Sequence, residues 1–292
     1  TGQIPGSVLR PVLQIAGIVA VASLTTLTAE RAILILLVAS LLSVGVAVGL
    51  LRRRLTIPAR TRPVFRGRIW ARSLVLLSVM LLCQRIYQHL GTVALQYLGT
   101  PEEVALYQPA VEALILTTLP AVALTTILMP RMRAALVDGD RQLQQRLITN
   151  SGRLIALCTA GISTLLLALG PTGLALIFGP DFAAAYPAVA IIAVTQVLAS
   201  LLGLPNVILA QADRERLVAW VMSGGVLLSI LASLALIPSF GPLGAALATG
   251  ITLIGVRFVL SWICRRHLGL ETLITKSPQS GAEQVGKPGR SA

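Results

Sequence analysis

Residues 73–99 read SLVLLSVMLLCQRIYQHLGTVALQYLG, an apolar run interrupted at its centre by Gln84-Arg85-Ile86-Tyr87-Gln88-His89. As a helix, a run of this length crosses about 30 Å of hydrocarbon. An arginine at that depth costs roughly 3 kcal/mol on insertion scales, and it persists where it faces protein or water. The run therefore predicts a membrane span whose polar patch lines a cavity for a charged or sugar-bearing ligand.

The composition of the whole chain also indicates a membrane protein. Of its 292 residues, 55% are hydrophobic and 12% are charged, whereas a soluble domain is about 25% charged. Apolar runs predict eight spanning helices, at residues 8–28, 32–51, 73–99, 104–129, 154–178, 183–211, 217–237 and 242–264. We therefore expect an all-α, polytopic helical bundle in a membrane.

The basic residues lie mostly on one side of the predicted membrane spans. Of the 24 lysines and arginines, 21 lie on one side of the predicted spans, Arg31 alone lies on the other, and Arg85 and Arg257 lie within spans. The positive-inside rule assigns the richer side, which holds both ends of this chain, to the cytoplasm. The net charge of +13 therefore favours anionic lipid headgroups as partners, and nucleic acid is not expected.

Residues 52–72 form a basic segment in which Pro58 and Pro63 oppose helix. We predict a cytoplasmic linker here, interpreted as a loop held at lipid headgroups, as a hinge between two helical lobes, or as both together. It separates the two helices of residues 1–51 from six helices in residues 73–264. Residues 265–292 are rich in Ser, Gly, Gln, Pro and Lys, which predicts a disordered cytoplasmic tail.

The strongest candidate site is a polar stripe on the span at 73–99. Arg85, His89 (or Gln88), Thr92 and Gln96 recur at i, i+4, i+7 and i+11, which places them on one helix face. The functional interpretation is a cationic lining for a water-filled cavity. The alternative is an interhelical hydrogen-bond network that locks the bundle.

The span at 104–129 adds a second polar pair. Gln108 and Glu112 lie one turn apart, and Glu112 is the carboxylate predicted inside a span. It is a candidate ion-pair partner for Arg85 or His89, or a carrier of a coupling proton or cation.

The span at 183–211 contains Gln196 and the sequence Gly203-Leu204-Pro205. Because proline removes a backbone donor and frees carbonyls, this sequence predicts either a broken helix that lines a cavity or an ordinary kink. Gln196 is then a candidate ligand contact. Arg257, in the last span, is expected to snorkel to the cytoplasmic surface.

Enzyme signatures are not found in this sequence. It has no P-loop, HExxH or Gly-x-Ser-x-Gly motif. His89 and His267 lie on different segments, and the three cysteines at 83, 158 and 264 fall in apolar runs without metal-type spacing. We therefore expect no catalytic residues, no metal site and no cofactor.

Several short motifs follow one another in a recognisable order from Trp70 onward. They stand at residues 99–107 (GTPEEVALY), 129–131 (MPR), 138–140 (DGD), 178–182 (FGPDF), 211–215 (QADRE) and 240–246 (FGPLGAA). In this order the chain, over residues 70–265, resembles the later part of the lipopolysaccharide or O-antigen flippases. These belong to the multidrug/oligosaccharidyl-lipid/polysaccharide exporter superfamily.

The resemblance implies a MATE-like transporter of two six-helix lobes around a central cavity. Residues 73–264 would be the complete second lobe and residues 1–51 the last two helices of the first, with about four helices expected ahead of Thr1. It also implies flipping of an undecaprenyl-pyrophosphate-linked oligosaccharide across the bacterial inner membrane, alongside polysaccharide polymerase or assembly proteins. A lipid II flippase and a cation-coupled multidrug antiporter are the alternatives. The implied substrate contacts are Arg85, Gln88, His89, Thr92, Gln96, Gln108 and Gln196, with Glu112 for coupling or ion pairing.

Overall fold

The computed structural model describes residues 29–54, 67–212 and 214–268. Within these ranges the chain is helical almost throughout and has no strand. It divides into two compact units, Thr1–Arg66 and Gly67–Ala292. The span predicted at 8–28, residues 55–66 of the linker and residues 269–292 of the tail lie outside the described residues. Those predictions stay predictions.

The first unit contributes helix α1, Ala29–Arg54. It contains the span predicted at 32–51, and its most apolar part is Leu37–Val46. The helix also takes in Arg52, Arg53 and Arg54, which the sequence assigned to the linker. Arginine is a good helix former, so a helix continues past the apolar residues that hydropathy detects.

The second unit holds seven further α-helices within the described residues. They are α2 (Gly67–Leu98), α3 (Pro101–Val137), α4 (Arg141–Phe178), α5 (Tyr186–Leu201), α6 (Pro205–Gln211), α7 (Glu215–Phe240) and α8 (Pro242–Leu268). A 3-10 helix, Pro180–Ala185, precedes α5. Six segments of this unit are long and apolar enough to cross a membrane. A helical membrane protein is thereby supported, with six such helices among the described residues where eight were predicted along the chain.

The helix ends depart from the predictions where local capping decides them. Asp140 caps α4, since its Oδ1 accepts from the Leu143 N–H at 2.9 Å, so this helix begins well before residue 154. Thr100 and Glu103 form a reciprocal capping box at the start of α3, with bonds of 2.9 and 3.3 Å. At Gly170 the backbone of α4 leaves helical geometry ahead of Pro171. The span predicted at 154–178 was continuous.

Two apolar clusters form the core of the second unit. One includes Leu95, Tyr107 and Ala246; the other includes Cys83 and Val256. Helix α7 packs against α2 and α8, and α4 packs against α3 and α5. Helix α5 also packs against α8. Helix α8 contributes Ala246 to the first cluster and Val256 to the second. Between these two positions the helix carries the buried polar residues Thr249 and Thr252.

The predicted span at 183–211 is a broken helix. It ends at Leu201 and restarts at Pro205, with Gly203 at φ +70° between them. Glycine is favoured there because L-residues with a side chain rarely adopt positive φ. Of the two predicted alternatives, a break and a simple kink, the structure has the break.

Candidate functional site

The polar stripe of α2 lies on the surface of the second unit. Arg85, His89 and Gln96 are exposed, and Gln88 and Thr92 are partly buried at the edge of that face. Nη1 of Arg85 donates a hydrogen bond of 3.3 Å to Oε1 of Gln88. The predicted residues therefore share one side of α2, which the packing of this unit leaves largely uncovered.

Arg85 lies near the middle of the apolar part of α2. That part runs Leu74–Leu98, so Arg85 is about 17 Å from one end and about 20 Å from the other at 1.5 Å per residue. Its neighbours Leu81 and Leu82 are 64% and 61% exposed. Among the described residues no carboxylate pairs with the guanidinium. The second unit therefore presents an unneutralised cation at the middle of α2.

Gln108 and Glu112 are both exposed on α3. Nε2 of Gln108 donates to Oε1 of Glu112 at 3.0 Å. Within the described part of the chain, Glu112 forms no ion pair with Arg85 or His89. Its carboxylate is held by a neutral amide, and its suggested role in coupling stays a prediction.

Gln196 lies apart from the exposed candidates. Its side chain is 3% exposed, and its Nε2 donates to the carbonyl of Leu114 at 3.4 Å and to Oγ1 of Thr117 at 3.2 Å. These bonds join α5 to α3. The structure thus places Gln196 in a helix–helix contact and does not bring it to the stripe on α2.

Arg257 was expected to snorkel, and that expectation is wrong. Its Nη1 donates to the carbonyls of Ala199 and Gly203 at 3.1 and 2.9 Å. The helix break at residues 202–204 removes the i+4 backbone donors that a continuous helix would supply. The carbonyl of Ala199 keeps a bond of 3.3 Å from the Leu202 N–H, and Arg257 adds a side-chain donor to it and to the carbonyl of Gly203. Arg257 therefore turns inward and braces the break, a role that periodicity along α8 alone could not reveal.

A polar cavity of about 90 Å³ lies beside Arg257. Its polar lining includes Gln84, Gln88, Ser229, Thr249, Thr252 and Arg257. Gln88 also accepts the hydrogen bond from Arg85, so one side chain belongs both to the exposed stripe and to the cavity. The two arginines within predicted spans are thus connected through Gln88 to one continuous polar region.

A second, larger cavity lies on the other side of α3. It measures about 210 Å³ and is lined by Glu112 together with apolar residues that include Leu116, Leu166, Leu169 and Phe178. A single carboxylate in an apolar setting suits a lipophilic cation better than a glycan.

Metal ligands are not gathered at either cavity. Among the described residues, no three His, Cys, Asp or Glu side chains are close enough together to hold a metal ion. No protein-family model matches the chain, and neither a curated protein nor a solved structure matches it. The resemblance to flippases therefore stays an expectation drawn from the motifs quoted above.

Proposed function

We propose that this chain is part of a flippase of the bacterial inner membrane. It would move a polyprenyl-pyrophosphate-linked oligosaccharide, a precursor of O-antigen or exopolysaccharide, by alternating access. The observation that carries the proposal is Arg85, an exposed and unpaired cation at the middle of a membrane-spanning helix. Lipid contact at that depth would be strongly unfavourable, so this face of α2 must meet water or a polar partner.

The residues around Arg85 fit such a substrate. A pyrophosphate is a strong anion, and a guanidinium binds its oxygens through two parallel hydrogen bonds. The amides and hydroxyl of Gln88, Thr92 and Gln96 supply the donors and acceptors that a glycan requires. Gln108 extends the same chemistry onto α3.

The transport cycle in this proposal is a rocking of two helical lobes about the linker at 52–72. The second lobe would be the unit that begins at Gly67, and α1 would belong to the first. Both ends of the chain would lie in the cytoplasm, as the positive-inside rule predicts. A lipid II flippase would use the same chemistry on a different glycan.

A cation-coupled multidrug antiporter is the second candidate. It is favoured by the cavity of about 210 Å³ in which Glu112 is surrounded by apolar side chains. In that case Glu112→Gln should abolish drug resistance while Arg85→Lys leaves it intact. In a glycan flippase, replacement of Arg85 should reduce transport more than replacement of Glu112 does.

The decisive experiment replaces Arg85 by Ala and by Lys in the full-length gene. Surface polysaccharide is then measured in a strain that lacks its flippase. We expect Ala to abolish export and Lys to restore part of it, because an ammonium keeps the charge and loses the planar fork. Arg153→Ala, at an exposed position on α4, is the matched control. Wild-type polysaccharide in both Arg85 variants, at normal expression, would overturn the assignment.

Water access to the stripe can be tested separately with native Cys158 as the comparison. Cys158 is exposed on α4, near the middle of its apolar part. In intact membranes, Arg85→Cys should react with a charged, water-soluble maleimide, whereas lipid-facing Cys158 should not. Equal protection at both positions would contradict an aqueous cavity and favour a sealed, structural membrane subunit.

A further inference from the structure

The cavity beside Arg257 contains polar groups that the protein itself leaves unused. Ser229 is 3% exposed, and its hydroxyl has no partner among the described residues. Gln84, an exposed residue of α2, also lines the cavity, and its amide forms no hydrogen bond among the described residues. A hydroxyl that faces a small cavity away from bulk water gains a hydrogen bond from a polar occupant, so such an occupant would stabilise this space.

The geometry of Arg257 determines which donors remain for that occupant. A guanidinium carries five N–H donors, and the two on Nη1 point to the carbonyls of Ala199 and Gly203. Nε and Nη2 remain without partners in the described part of the chain. These two nitrogens form the side-on edge of the fork, which matches two oxygens of a phosphate or carboxylate.

The charge of the lining and the size of the cavity restrict which groups can bind there. Arg257 is the one charged residue among those that line the cavity in the described structure. Its positive charge is therefore balanced by no lining carboxylate. A space of about 90 Å³ holds a few water molecules or one small oxyanion group, and it is too small for an oligosaccharide.

We propose that this cavity is an oxyanion site that binds a single phosphoryl group. Arg257 would grip the group through Nε and Nη2, and Ser229 and Gln84 would complete the shell. The site goes beyond the flippase function, because a phosphoryl group could bind there whether or not the chain moves a glycan. The phosphoryl group could belong to a lipid that enters between helices or to free phosphate.

Binding is measured on the full chain purified in detergent, by the ligand-dependent rise in melting temperature at constant ionic strength. The two probes are inorganic phosphate and farnesyl phosphate, with farnesol as the control that keeps the tail and lacks the oxyanion. Saturable binding of farnesyl phosphate alone identifies a lipid-borne phosphoryl group. Saturable binding of inorganic phosphate as well identifies a site that also takes the free ion. Saturation by neither probe overturns the proposal.

Two variants locate the binding in this cavity. Arg257→Lys, which keeps the charge and loses the fork, should weaken binding at least about tenfold. Ser229→Ala removes one hydroxyl, and it should weaken binding about fivefold, the loss of one hydrogen bond. If Arg257→Lys does not fold, Ser229→Ala decides the question alone. Arg153→Lys makes the same chemical change at an exposed position on α4 and should bind as wild type does. Unchanged affinity in Ser229→Ala, or an equal loss in Arg153→Lys, would contradict the site.

Discussion

Gly225 on α7 lies so close to Tyr87 on α2 that a methyl group at Gly225 would stand 2.6 Å from the Tyr87 oxygen. The same methyl group would overlap Val256 on α8. The Tyr87 hydroxyl donates to the carbonyl of Met222, one turn from Gly225. Three helices therefore meet at a glycine, as small residues allow in membrane bundles.

We predict that Gly225→Ala destabilises the protein by about 1–3 kcal/mol, the usual effect of overpacking a tight interface. Gly224→Ala is the matched control, because Gly224 is exposed and nothing lies within 4 Å of a methyl group there. Thermal unfolding in detergent should show a lower melting temperature for Gly225→Ala alone. Equal melting temperatures in the two variants would mean that α2, α7 and α8 are not packed this closely.

The sequence predicted this close packing in outline only. The Gly224-Gly225 pair indicates a face where helices can approach, since glycine has no side chain. It does not indicate which glycine faces the neighbour or that the neighbour is Tyr87. That choice depends on the rotation of α7 against helices distant in sequence, and hydropathy along one helix contains no information about it.

The donor of the hydrogen bond between Tyr107 and Thr249 can be identified from the second bond that Thr249 forms. The two oxygens are 3.2 Å apart, and the Thr249 hydroxyl already donates its one hydrogen to the carbonyl of Ala245 at 2.9 Å. Tyr107 is therefore the donor. It is 1% exposed, and Thr249 is the one partner its hydroxyl has among the described residues.

We therefore predict unequal effects from the two single substitutions. Tyr107→Phe should lower the free energy of unfolding by about 1 kcal/mol or less, because Thr249 keeps its bond to Ala245. Thr249→Val should lower it by about 1–3 kcal/mol, because the Tyr107 hydroxyl stays buried without a partner. The measurement is reversible unfolding of the purified protein in mixed micelles. A larger effect for Tyr107→Phe would reverse the inferred direction of the bond.

The two glutamine candidates, Gln196 and Gln108, should separate in their effects. Gln196 is buried and joins α5 to α3, whereas Gln108 is exposed and bonds only within α3. Gln196→Ala should lower the melting temperature, with a loss of about 0.6–2 kcal/mol that is typical of a hydrogen bond between membrane helices. Gln108→Ala should keep the wild-type melting temperature and reduce polysaccharide export. Normal stability in Gln196→Ala would restore it as a candidate for substrate contact.

Helical spacing in the sequence predicts the position of some candidate residues and cannot predict the position of others. The stripe from Arg85 to Gln96 follows from helical spacing alone, since α2 is one uninterrupted helix. Gln196 and Arg257 could not be placed in this way. Their orientation depends on which helix lies opposite, and for Arg257 on two carbonyls that lie where a separate helix breaks at Gly203.

Gly203 stands at the helix break between α5 and α6, in a backbone conformation that favours glycine. Its φ of +70° is a left-handed conformation that costs an alanine roughly 1–2 kcal/mol, and its carbonyl accepts from Arg257 at 2.9 Å. Gly203→Ala should therefore lower the melting temperature, while Gly203→Asn should be milder, since asparagine tolerates positive φ better. Gly161→Ala, at an exposed helical position with nothing within 4 Å of the added methyl group, should leave the melting temperature unchanged or raise it slightly. If Gly203→Ala melts as Gly161→Ala does, the left-handed turn between α5 and α6 is not present in the folded protein.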